Sequence, residues 1–79
     1  MRQTNEKHIT LRFGESVKFF RQQKALTQEK LAELAEIDRR YISQIELGKQ
    51  NPSLVIMSRI AKALRTPLSV IIQRAEHTD

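Results

Sequence analysis

Apolar residues recur along the chain at helical spacing, in five runs separated by short polar or proline-containing segments. Phe13, Val17 and Phe20 fall at i, i+4 and i+7, the inner face of a first helix that Thr10 can cap and that runs to about residue 24. Gly14 interrupts that helix at a cost of about 1 kcal/mol relative to Ala, which suggests another element packed closely against it. Residues 1–8 carry no apolar period and read as a flexible arm. Thr27 caps a second helix over residues 28–35, with Leu31, Leu34 and Ala35 as its buried stripe and Ala32 beside them. Asp38 caps a third helix over 39–47, with Ile42, Ile45 and Tyr41 turned inward. Gly48 then stands where a helix end calls for positive φ. Ser53 caps a fourth helix reaching about residue 65, with Ile56, Met57, Ile60, Ala61 and Leu64 inside. Thr66 is the expected N-cap of a fifth helix over 67–75, with Pro67 at its first position. The pattern predicts an all-α, compact five-helix domain over residues 9–76, with 77–79 as a tail.

The second and third helices are joined by only about three residues, 35–37, which forces a sharp crossing. With Ala32 small enough for close approach, residues 27–47 have the pattern of a helix-turn-helix. Arg39 and Arg40 sit in the first turn of the third helix, where cations oppose the helix dipole by ~0.3–1 kcal/mol each. An anionic partner reverses the sign of that penalty, and an arginine fork matches guanine O6 and N7 in the major groove. The plainer alternative is a solvated charge pair steadied by Asp38. Gln28 is a good helix former whose place at N1 also sets its amide near phosphate-attracting N–H groups. Ser43 and Gln44 can read base edges or phosphates, or simply face solvent. Tyr41 can divide between core and phosphate contact, and Lys49, Gln50 and Asn51 form a polar turn that suits either solvent or DNA backbone.

Composition narrows the function classes. The chain has 79 residues, 14 Lys+Arg against 9 Asp+Glu, a net charge of +5 and no cysteine. That excludes a disulfide framework, a cysteine zinc cage and a thiol nucleophile. His8 and His77 lie near the two ends, so no metal, cofactor or catalytic site is expected. No apolar run approaches the ~20 residues of a membrane span, and no signal peptide is evident, so a cytoplasmic, nucleoid-associated protein is expected. The positive charge is local. Residues 39–65 hold six basic side chains and one acid, Glu46, whereas residues 29–38 hold four acids.

Gln28, Leu31 and Ala32, then Arg39, Tyr41, Ile42, Ser43, Ile45, Glu46 and Gly48, then Asn51, Pro52, Ser53 and Leu54, resemble the Cro/lambda-repressor-like (Xre) DNA-binding domains. Phe13, Gly14, Val17, Phe20, Arg21, Leu26 and Thr27 resemble that family's first helix, so the likeness covers about residues 12–72. It implies a lambda-repressor-like fold and double-stranded DNA as partner. It also implies a salt bridge between Arg21 and Glu46, a phosphate contact from Gln28, DNA-facing positions at Arg39, Arg40, Tyr41 and Gln44, and a backbone-touching loop at 49–51. Glu36 and Arg65 depart from the family's usual glycines; a side chain at positive φ there costs ~1–2 kcal/mol. Residues 38–54 resemble in particular the controller proteins of restriction–modification systems. A phage-type repressor, or an antitoxin or adaptor whose main role is binding a protein partner such as a toxin, are the competing readings; RNA polymerase is a further candidate partner.

Leu68, Val70, Ile71 and Ile72 cover most of the circumference of the fifth helix, a belt rather than a stripe. With Val55 on the fourth helix they form a candidate dimer interface. A two-fold homodimer would set two recognition helices ~34 Å apart on a palindromic operator.

Overall fold

The computed structural model describes residues 6–77, and among them every regular element is an α-helix. The helices are α1 (Glu6–Gln23), α2 (Gln28–Ala35), α3 (Arg39–Glu46), α4 (Leu54–Ala63) and α5 (Leu68–Glu76). α1 packs on α3 and α5, α2 on α3 and α4, and α4 on α5. Phe13 and Val17 of α1, Leu31 and Ala32 of α2, Ile42 and Ile45 of α3, Ile60 and Ala61 of α4, Leu64 just beyond it and Ile71 of α5 form one core. Each large aliphatic side chain removed from water there contributes roughly 1.5–3 kcal/mol.

Three expected caps are formed. Thr27 Oγ1 accepts the Lys30 N–H at 3.0 Å, Asp38 Oδ1 the Arg40 N–H at 2.7 Å, and Ser53 Oγ the Ile56 N–H at 3.1 Å. Two other expected starts are corrected. α1 begins at Glu6, so Thr10 lies inside it, and its hydroxyl reaches the Gly48 carbonyl at 3.4 Å. Residues 6–8 of the expected arm are therefore helical; residues 1–5 and the last two of the expected tail lie outside the described residues. At α5 the N-cap is Pro67, with extended ψ of 138°, and its carbonyl accepts from Val70 and Ile71. The Thr66 hydroxyl instead donates backward to the Leu64 carbonyl at 3.0 Å.

α1 to α4 all end in the same way. The N–H of residues 26, 37, 49 and 66 reaches back five residues to the carbonyls of 21, 32, 44 and 61, a Schellman closure. The preceding residue is left-handed in every case: Ala25 (φ 57°), Glu36 (φ 58°), Gly48 (φ 75°) and Arg65 (φ 54°). The positive φ expected at Gly48 is thus observed, and Glu36 and Arg65, which stand where the family usually has glycine, adopt it with side chains in place.

Two burial expectations are corrected. Leu34 is 49% exposed, because it falls outside the arc of α2 spanned by Leu31, Ala35 and Ala32. On α5 the expected belt resolves into a stripe: Ile71 and Ala75 are fully buried, Leu68 and Ile72 half-buried, and Val70 alone lies off the stripe. The buried Ser16 hydroxyl donates to the Ile71 carbonyl at 2.8 Å, fixing α1 to α5 and satisfying a group that would otherwise be costly to desolvate.

Candidate nucleic-acid interface

α3 turns Ile42, Ile45 and Glu46 inward. At about 3.6 residues per turn, Arg40, Ser43, Gln44 and Leu47 come round to the opposite side. Arg40 has 89% of its side chain exposed, with its guanidinium 4.0 Å from Asp38. Ser43, Gln44 and Tyr41 are half-buried, and Leu47 is exposed. The outward face thus carries a largely exposed guanidinium, an amide, a hydroxyl and one apolar side chain, which are groups able to meet base edges and the thymine methyl.

The close packing expected at Gly14 is with α3. A Cβ built there would run into the Ile45 and Glu46 carbonyl oxygens, so glycine is what lets α1 lie against α3. Directly behind α3, Arg21 Nε donates to Glu46 Oε2 at 2.7 Å and Arg21 Nη2 to Glu46 Oε1 at 3.1 Å. The remaining guanidinium nitrogen, Nη1, donates to the Leu26 carbonyl at 2.8 Å. Gln28 Nε2 donates to Glu46 Oε1 at 2.9 Å. Side-chain exposure is 11% for Arg21 and 3% for Glu46, so this two-point pair is shielded from water and multiply bonded. Among the described residues no buried side-chain nitrogen or oxygen lacks a partner. The network joins α1, the start of α2 and the end of α3 into one unit.

Gln28, read from sequence as a phosphate contact, is therefore first a member of this network; its amide retains one N–H and its carbonyl oxygen for any further partner. Arg39 also has a partner that sequence reasoning missed. Its Nε lies 3.0 Å from Glu29 Oε2, with both side chains more than half exposed. The signal was available: two opposite charges in the first turns of two helices that a three-residue connection brings together. Lys49 and Asn51 are exposed and Gln50 is half-buried in a loop anchored by the Gly48 and Lys49 N–H groups on α3 and by buried Pro52. This loop continues the α3 C-terminus, whereas Arg39 and Arg40 stand at its N-terminus.

Of the expected dimer residues, Val55 is 64% and Val70 38% exposed, and Leu68 and Ile72 are half-buried. Ile71 has no exposure; it is a core residue and cannot line a surface. Leu54, 66% exposed beside Val55, was not among the expected dimer residues. Among the described residues no group of three His, Cys, Asp or Glu could hold a metal ion, and no helix is long and apolar enough to cross a membrane.

The helix-turn-helix family profile matches residues 17–71. The chain is 41% identical over 69 residues to control protein C.MunI of a Mycoplasma species, covering 86% of this chain and 93% of that protein. It is 45% identical over 58 residues to control protein C.BamHI of Bacillus amyloliquefaciens, covering 72% of each. Among solved structures, the restriction-modification controller protein C.AhdI from Aeromonas hydrophila superimposes with a TM-score of 0.77 at 35% identity, over 78% of this chain and 94% of that one. Those likenesses span the buttressed α2–α3 unit and the core around it, and with that geometry they establish that the chain belongs to the helix-turn-helix family as a DNA-binding transcriptional regulator.

Proposed function

We propose that the chain is the controller of a restriction–modification system and acts as a homodimer on a palindromic operator. The observation that carries this reading is the outward face of α3, where Arg40 is almost wholly exposed on a helix fixed from behind by Arg21, Glu46 and Gln28. In this reading α3 enters the major groove, with Arg39, Arg40 and Gln44 at base edges and Leu47 against a thymine methyl. Gln28, Tyr41, Ser43, Lys49, Gln50 and Asn51 hold the DNA backbone. The two arginines favour half-sites containing guanine. Leu54, Val55 and Val70, with the half-buried Leu68 and Ile72, supply the two-fold face. The controller role rests on the names of C.MunI, C.BamHI and C.AhdI. The compartment is then the cytoplasm, where such a protein meets the chromosome.

The test is fluorescence anisotropy against the DNA upstream of the protein's own gene, over a salt series. Each phosphate neutralised adds about −0.9 to the log–log slope. Arg40→Ala is expected to cost ~1–3 kcal/mol at the preferred site and to relax base preference at one position. Lys49→Ala is expected to weaken all DNA alike and to lower the slope by about 1. Flat salt dependence with no preferred site would refute the reading.

A further inference from the structure

A second surface, separate from every candidate DNA contact, runs between α2 and α4. A hollow of about 460 Å³ is floored by Leu26, Leu34, Ala63 and Leu64. Beside it lies a second hollow of about 280 Å³, and the two share Leu34 and Lys62. Joined through those residues they make one trough, apolar along the first hollow and bordered in the second by Leu34, Ala35 and charged side chains. Its rim is basic: Lys24, Lys62 and Arg65 border the first hollow, and Arg59 and Lys62 the second, against one acid, Glu36. None of these four cations forms an ion pair among the described residues, whereas Glu29, Glu33, Asp38 and Glu46 are each matched to a cation.

We propose that this trough is a docking site for an acidic amphipathic helix of a partner protein. Charge complementarity selects the occupant. A two-fold contact of the trough with its own copy would set four unmatched cations against four. DNA phosphates would meet the rim but leave the leucine floor uncovered. A helix with apolar side chains at i, i+3, i+4 and i+7 fills both hollows, and its flanking carboxylates reach the rim. The half-exposed Leu34 is the central anchor, since it borders both hollows and its burial removes apolar surface from water. The trough leaves the outward face of α3 open, so a regulator bound to its operator can hold the partner at the same time.

The test uses the full, isotope-labelled chain and a synthetic amidated peptide of leucine, alanine and glutamate with leucines at that spacing. A peptide carrying lysine in place of glutamate is the control. The glutamate peptide is expected to shift the amide resonances of residues around Leu26, Leu34, Ala63 and Leu64, and the lysine peptide is not. Leu34→Glu, at a position already half exposed, is expected to weaken the peptide by about ten-fold or more through loss of a buried leucine contact and added like charge. Lys62→Glu is expected to weaken it as well, and both variants should keep wild-type helicity and operator affinity. No shifts, shifts centred instead on Val55 and Val70, equal binding of the two peptides, or an unaffected Leu34→Glu variant would overturn the proposal. So would a loss of operator affinity in Lys62→Glu, which would assign the rim to the DNA interface; operator binding by the wild-type chain is read separately.

Discussion

Ala25, Glu36 and Arg65 hold the same left-handed backbone position as Gly48 yet carry side chains. The difference is what stands in front of each. At Gly48 a Cβ would press into the Leu11 backbone at 2.7 Å, so glycine is required by both space and φ. At the other three positions the side chain is exposed and only the local backbone penalty is incurred. Ala25→Gly and Glu36→Gly should therefore each stabilise the fold by ~0.5–1 kcal/mol, the relief of αL strain being partly offset by the flexibility glycine adds to the unfolded chain. A rise in urea midpoint with unchanged slope checks this. Gly48→Ala should move the midpoint the other way. Gly14→Ala sets two effects against each other. Alanine gains ~1 kcal/mol of helix propensity, but its methyl meets the Ile45 and Glu46 carbonyls, which are backbone and cannot swing away. Overpacking of this kind typically costs ~1–3 kcal/mol, so the clash should win and the variant should melt lower despite its better helix former. Both glycines were legible in the sequence as departures from a helix-rich composition. Ser16 was not, because a serine on a helix does not announce that a carbonyl 55 residues away awaits its hydroxyl.

At the scale of elements, the caps at Thr27, Asp38 and Ser53 and the turn between α2 and α3 could be read from local sequence because each is closed by bonds within a few residues. At the start of α1 and on the flank of α2, distant packing decided instead. α1 extends back to Glu6, where Thr10 and Leu11 meet the Gly48 turn from the other end of the helix-turn-helix. Leu34 looked buried by periodicity, but α3 and α4 cover only the Leu31–Ala35 side of α2, and no one-dimensional pattern says which flank of a short helix is left open. The Arg21–Glu46 pair, expected from family likeness, has a two-point geometry that also recruits Gln28. Removing one partner of a buried pair leaves the other charge uncompensated, at a cost of roughly 3–5 kcal/mol. Glu46→Ala should accordingly destabilise the protein more than the double replacement Arg21→Ala with Glu46→Ala. Urea unfolding of the wild type, both single variants and the double variant measures the coupling. Additive losses would show that the pair does not hold α1 to α3.

For the whole molecule, the candidates for DNA contact could be nominated from local sequence, since two arginines against a helix dipole stand out as a broken local rule. Their arrangement was not. Arg39 is drawn to Glu29 and Gln28 to Glu46, while Arg40 is left as the extended cation of α3. The surface proposed for self-association shows the same division: exposed valines were found by counting apolar positions, but the counting also swept in Ile71, which the core had already taken. Val70 lies off the α5 stripe with more than a third of its surface in water, so Val70→Asp should leave the fold and its helical circular dichroism intact. If α4 and α5 form the two-fold face, a carboxylate there must be desolvated opposite its own copy, and the dimer should dissociate. Sedimentation equilibrium should then give the mass of one chain. Operator affinity should fall by about 10²–10⁴, the advantage that linking two half-site contacts confers, while the weak salt-dependent binding of a single α3 to DNA remains. A variant that keeps twice the chain mass would remove Val70 from the interface. One that is monomeric yet binds the full operator undiminished would show that each chain reads DNA alone.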